Sequence, residues 1–161
     1  MELIGVDGGY TNMAQKDSRR LYLVLPYLYP DLNGTPITNN EHRPELADYL
    51  LQNDSDGTGS YVIWQNDEIT EPTAQELADA KEGAINAEWW RVLRWERNEL
   101  LNNTDKYAVS DRPDSSEWLT YRQTLRDLPE NVTKPDFETL NNLAAHEWGI
   151  KSLMPTKPNE E

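Results

Sequence analysis

With 161 residues, 37% of them hydrophobic, and a mean hydropathy of −0.85, the chain suits one domain, or one small domain with an appendage. Its core should be thin and aromatic, since six tryptophans and eight tyrosines stand against one phenylalanine. A net charge of −14 argues against general nucleic-acid or anionic-membrane binding, the lack of cysteine removes disulfides and thiol chemistry, and no apolar run approaches the roughly 18 residues of a membrane span.

Residues 1–20 are polar, carry Gly8-Gly9 and show no sustained period, so an extended arm is expected, ordered only against something else. The same stretch lacks the basic start and long apolar core of a signal peptide. Leu21–Pro30 is the most apolar run; its length allows a buried strand or a short helix, and Pro26 interrupts both. Asp31 to Pro44 is loop by composition. Tyr49–Asn53 and Ser60–Gln65 are β-prone runs around a Gly/Asp loop, Asp54–Gly59, and predict a hairpin. Pro72 then precedes Thr73-x-x-Glu76, a capping box that starts a helix. Only Gly83 weakens this helix, by roughly 1 kcal/mol against alanine, before its expected end at Asn102-Asn103. A second helix should start at Asp114 and stop at Pro129, with Trp118, Tyr121, Leu125 and Leu128 in one apolar stripe. A third opens at Pro135-Asp136 and carries Phe137, Leu140, Leu143 or Ala144, and Trp148 toward Gly149, a natural residue to follow a helix. The tail to Glu161 is expected to be loose. The fold class is α+β: a small N-terminal domain with a β-hairpin, followed by a long helix and an antiparallel helical hairpin. The expected division is an arm at 1–20, a small α+β domain at 21–72, a helical hairpin at 73–130, and a C-terminal helix and tail at 131–161.

The long helix is more informative than its length. Four tryptophans and five arginines fall in Trp89–Leu101 and Glu117–Pro129. Advancing about 100° per residue from Trp89 places Trp90, Leu93, Leu100 and Leu101 on one side, flanked by Ile85 and Val92. Trp95 falls on the other side, in line with Leu77 and close to Ala84. The helix thus has two apolar faces. Either the second helix covers one and the N-terminal domain the other, or one face meets another chain, a second copy included. Arg97 lies within the broad apolar arc, where Asp105 or Asp111 could pair with it, or where its stem simply reaches to solvent.

Catalytic and metal-binding patterns are missing. His146-Glu147 begins like H-E-x-x-H, but Ile150 occupies the last ligand position, and His42 is far away in sequence. No phosphate-binding or dinucleotide-binding glycine motif occurs, and 29 acidic residues leave no pair distinguished as an acid/base couple. Asp54, Asp56, Thr58 and Gly59 match four positions of a calcium loop, but Gln65 replaces the closing bidentate glutamate, so a polar hairpin loop is the better reading. An acidic mimic of DNA is disfavoured because the long helix interleaves arginine with glutamate. No catalytic residue, cofactor or metal is expected, and the chain reads as a non-enzyme.

The run Arg94-x-x-Arg97-Asn98-x-Leu100-Leu101-x-x-Thr104-Asp105, followed by Trp118-x-x-Tyr121-Arg122-Gln123-x-Leu125-Arg126-Asp127-Leu128-Pro129, resembles the tail assembly chaperone family of tailed bacteriophages, over residues 88–130. Upstream, Tyr27-Leu28-Tyr29-Pro30, Gly59–Trp64 and Pro72-Thr73-x-x-Glu76-Leu77 are similar to small XkdW-like prophage tail proteins. The resemblance implies a non-enzymatic protein that binds a phage tail-fibre or baseplate protein and assists its folding or attachment, in the host cytoplasm during assembly. The residues expected to bind the partner are Trp89, Arg94, Trp95, Arg97, Trp118, Tyr121, Arg122, Leu125 and Arg126. The arm at 1–20 and the segment Asn131–Glu161 go beyond the family's expected end near Leu-Arg-Asp-Leu-Pro. Such additions suit the alternative, a stoichiometric structural subunit of the mature virion tail.

Overall fold

The computed structural model describes residues 20–34, 46–53, 60–107 and 115–158. The expected arm at 1–19 and the calcium-like loop Asp54–Gly59 lie outside the described residues. In chain order the elements are α1 (Leu21–Leu28), β1 (Tyr49–Asn53), β2 (Ser60–Trp64), α2 (Ala74–Asn103), α3 (Ser115–Asn131) and α4 (Phe137–Asn142). Short 3₁₀ turns occupy Asp105–Tyr107, Ala145–Glu147 and Ile150–Leu153. A small antiparallel hairpin followed by a long helix and further helices is the α+β class that the sequence predicts. The chain forms two compact units, one built from the described residues up to Ala87 with Phe137–Ala145, the other from Glu88–Asp136 with the described residues from His146 on. The boundary at Ala87 and Glu88 falls inside α2.

The first unit is built on α1 and the hairpin. The apolar run Leu21–Pro30 resolves as a helix because Leu21, Val24 and Leu25 at i, i+3 and i+4 share one buried face. Pro26 stays inside it, exposed, at the cost of the bond its missing N–H would have given Tyr22. Leu21 and Leu25 pack with Tyr49 and Leu51, and Tyr22, Tyr29, Leu32, Val62, Trp64 and Leu77 close around them. The hairpin pairs Tyr49 with Trp64 and Asn53 with Ser60 in unbroken register. Trp64 stacks on Tyr49 with ring centres 5.9 Å apart and meets Tyr29 edge-on at 5.4 Å. Asp48 ties the connections down: its carboxylate accepts the Asn33 N–H at 2.7 Å and the Asn66 amide at 2.6 Å. Gly34 bridges to Tyr49, and a Cβ there would stand 2.3 Å from the Tyr49 ring, so the close approach requires glycine.

The start of α2 is the capping box expected from Thr73-x-x-Glu76. Glu76 Oε2 accepts both the Thr73 N–H and the Thr73 hydroxyl at 2.7 Å, and Thr73 Oγ1 accepts the Glu76 N–H at 3.2 Å. The Thr73 N–H, and after it the hydroxyl, hold the Glu76 carboxyl below its ordinary pKa. A depressed folded-state pKa gives a contribution that is complete above the unfolded value and lost as pH falls through the folded one. The thermal midpoints of wild type and Glu76→Gln should therefore differ near neutral pH and converge as the solution is acidified through the carboxylate range. A gap of constant size down to low pH would refute the link.

Two helix ends differ from the sequence expectation. Helix α3 runs through Pro129 to Asn131, with the Val132 N–H still bonded to Leu128 O at 3.1 Å, because a proline in the last turn forfeits only one ladder bond. Helix α4 stops at Asn142 and does not continue toward Trp148. The reason lies 120 positions upstream, where Arg20 Nη2 donates to Leu140 O at 3.2 Å, to Asn141 O at 2.8 Å and to Leu143 O. Those carbonyls face a guanidinium instead of a further turn. Gly149 does take the left-handed conformation, at φ 67°, but it leads into the turn Ile150–Leu153.

Candidate protein-protein interface

The second unit is organised by the apolar stripe of α3. Trp118, Tyr121, Leu125 and Leu128 are all buried, as their 3-4-3 spacing predicts. Trp118 stacks on Tyr107 with ring centres 4.2 Å apart and meets Tyr121 edge-on at 5.9 Å. Leu100, Leu101 and Met154 close the cluster. Burial raises the Tyr121 pKa, and the positive charge of Lys157 partly opposes the rise.

Arg122 rises from the same stripe, also buried, and stitches α3 to the end of α2. One guanidinium nitrogen donates to Leu101 O and to Thr104 Oγ1 at 3.0 Å, while the other pairs with Asp105. Leu101 O is one of the last carbonyls of α2, which lack partners within their own helix, so Arg122 acts as a side-chain cap. The Asp105 carboxylate suggested for Arg97 is thus committed to Arg122. Arg97 donates instead to Asn98 Oδ1, at 3.1 Å from Nε and 2.8 Å from Nη2. Asp111 lies outside the described residues.

The nine residues proposed for partner binding therefore separate by depth. Trp89, Trp118, Tyr121, Arg122 and Leu125 are buried in the unit. Arg94, Trp95 and Arg126 are exposed, and Arg97 is half-buried. Trp95 is 54% exposed. Its neighbours one turn away on α2 are Arg91, Asn98 and Glu99, all exposed as well, and Val92, half-buried. Of the two apolar faces, the Trp89 side is inside, with Trp89 and Leu93 fully buried; on the other, Leu77 packs in the first unit's core and Ala84 is buried, while Trp95 is exposed.

The arginines around Trp95 are held in place. Arg91 grips the Glu88 carboxylate with two bonds, at 2.6 and 2.7 Å, and this partner keeps its pKa above the ordinary value. Arg94 lies over the Trp90 ring at 5.8 Å, and Trp90 meets Trp89 edge-on at 4.8 Å. The buried Trp89 is thus connected, ring to ring to guanidinium, with the exposed face. Sequence reasoning overlooked Leu119, 47% exposed on α3 one heptad before Arg126. The signal was available: Leu119 falls outside the stripe, on the polar side of α3, where an apolar residue has no core to join.

Local charge also singles out this region. Seven arginines and lysines stand against seven acids between Glu88 and Arg126, which leaves the whole formal charge of −14 on the rest of the chain. A partner with exposed carboxylates meets least repulsion here. Among the described residues no cluster of three His, Cys, Asp or Glu is placed to hold a metal, and no helix is long and apolar enough to cross a membrane.

Residues 90–149 match the family model of the phage tail assembly chaperone protein. The match covers both sides of the Trp95 surface and the Trp118 core. It runs past Pro129, so α4 falls within it and not in an extra segment beyond the family's end; it does not reach the hairpin domain. No curated protein and no solved structure matches the chain. The match points to a role in phage tail assembly.

Proposed function

We propose that the protein is a bacteriophage tail accessory protein that binds a tail-fibre or baseplate protein and assists its folding or attachment, in the host cytoplasm, as a binding protein and not an enzyme. The observation that carries this reading is Trp95, the large exposed aromatic of α2, with Arg91 one turn before it and Arg94 adjacent, within the family-matched stretch. Tryptophan and arginine are the residue types that dominate binding energy at protein interfaces. A half-exposed indole beside guanidiniums already held by Glu88 and Trp90 loses little freedom on binding. Leu119 and Arg126 add a second apolar and cationic pair on α3.

Co-expression with the tail-fibre protein of the same phage tests this. Trp95→Ala should reduce co-purification by about thirty-fold or more, the effect of losing a hot spot of 2 kcal/mol, while its thermal midpoint stays at the wild-type value. Undiminished co-purification by a folded Trp95→Ala chain would remove the surface from consideration. A second reading, a permanent subunit of the virion tail, rests on the chain on either side of the matched stretch, before residue 90 and after residue 149. Mass spectrometry of purified virions separates the two, since a transient chaperone is absent from them.

A further inference from the structure

Between Glu88 and Asn102, α2 presents a solvent face with Trp95 at its middle. Arg91 stands one turn before Trp95 and Glu99 one turn after, so the three side chains follow one line along the helix. All three are exposed, and Trp95 is the one large exposed hydrophobic of α2 among the described residues. Arg91 is engaged on one side only. Its Nε and Nη2 hold the Glu88 carboxylate, and its Nη1 takes no bond among the described residues. Glu99 has no hydrogen bond or ion pair there. Three arginines and three glutamates cancel between Glu88 and Asn102, so the stretch is neutral in a chain of net charge −14.

We propose that this face receives a second copy of the same chain, α2 against α2, antiparallel about a two-fold axis at Trp95. A two-fold contact needs a surface complementary to itself, and a tryptophan with a cation one turn before it and an anion one turn after is such a surface. The axis sets Trp95 against Trp95 of the second copy, where two indoles stack in an offset pair. Arg91 of each copy then stands opposite Glu99 of the other. Its unused Nη1 takes the new carboxylate while Glu88 keeps the rest of the guanidinium. The same operation sets Arg94 opposite Glu96 and Glu88 opposite Asn102, so no like charges stand directly opposite. A parallel pair would set arginine on arginine and glutamate on glutamate, which repel. Two acidic chains also approach best where each is locally neutral. One helix pair over this length gives a small contact, under about 1,200 Å², so the dimer is weak and exchanges readily. The face is the one proposed above for a tail protein, but the inference does not rest on that reading. The two occupants exclude each other at Trp95, and a tail protein would bind the dissociated chain.

Sedimentation equilibrium of the purified full-length chain, with no other protein present, tests this. The average mass should rise with concentration from one chain toward two, with a Kd on the order of 10–100 μM for so small a contact. Trp95→Ala should weaken association by about thirty-fold or more, the effect of losing a hot spot. Arg91→Glu and Glu99→Arg, both at exposed helix positions, should each be monomeric over the same range, because each sets like charges opposite one another on both sides of the axis. An equimolar mixture of these two variants should dimerise about as strongly as wild type, since the two-fold axis again pairs arginine with glutamate at both places. Side chains that act only within their own helix cannot produce that rescue. A wild-type chain that stays monomeric throughout, single variants that associate like wild type, or a mixture no stronger than its components would overturn the proposal. None of these results depends on the fibre protein, so a failed dimer and a failed co-purification are told apart.

Discussion

Trp118→Ala should destabilise the second unit by about 3–5 kcal/mol, the range for removing a fully buried tryptophan. Trp118 is fully buried, stacks on Tyr107 and supports Tyr121 edge-on, so its removal leaves a void bordered by two rings that cannot both move into it. The aromatic contacts themselves add about 0.5–1.5 kcal/mol beyond area burial. Against a typical domain stability of roughly 5–15 kcal/mol, the loss is a large fraction of the whole. Trp95→Ala is the matched control, the same substitution on a residue 54% exposed, and should stay within about 0.5 kcal/mol of wild type. Urea unfolding followed by near-ultraviolet circular dichroism reads both. If Trp118→Ala costs no more than Trp95→Ala, the assignment of the cluster as core is wrong.

The contrast between these two tryptophans shows how much was legible beforehand. Trp118 belongs to a 3-4-3 stripe on a helix with one apolar face, and such a stripe means burial whatever else the residue does. Trp95 stood apart from the Trp89 side, and the helical angle alone marked it as needing a different neighbour. Local signals served well elsewhere. Thr73-x-x-Glu76 is a capping box in the structure, and the β-prone runs Tyr49–Asn53 and Ser60–Trp64 pair in the expected hairpin. Contacts between distant residues were not legible. Nothing near Asp105 in sequence says that its partner is Arg122 and not Arg97, because the choice depends on how α3 approaches the end of α2. The tail was expected to be loose, since proline and charge predict no regular structure. Lys157 nonetheless stands over the Tyr107 and Trp118 rings and Met154 packs against the same cluster, contacts that no periodicity can mark.

Arg20→Ala should cost the first unit about 3 kcal/mol, although the sequence gives Arg20 no distinction at all. Arg20 is 3% exposed and does two things at once. Its backbone, in the left-handed conformation at φ 53°, turns its carbonyl to accept the Leu23 and Val24 N–H groups at 2.8 and 3.0 Å and so opens α1. Its side chain reaches the end of α4 and satisfies the carbonyls of Leu140, Asn141 and Leu143. Bonds from a charged donor contribute about 1.5–3 kcal/mol each when counted singly, but here they share one nitrogen and do not add. Alanine leaves the three carbonyls without the guanidinium and keeps the strained backbone. Lysine should recover little, because an ammonium is more strongly hydrated than a guanidinium and loses more on burial. Hydrogen exchange provides the local readout, since the amides of Phe137–Leu143 should exchange faster in Arg20→Ala while those of Glu117–Leu128 keep their wild-type protection. Equal acceleration in both stretches would show that Arg20 supports the chain generally and does not hold the end of α4 in particular.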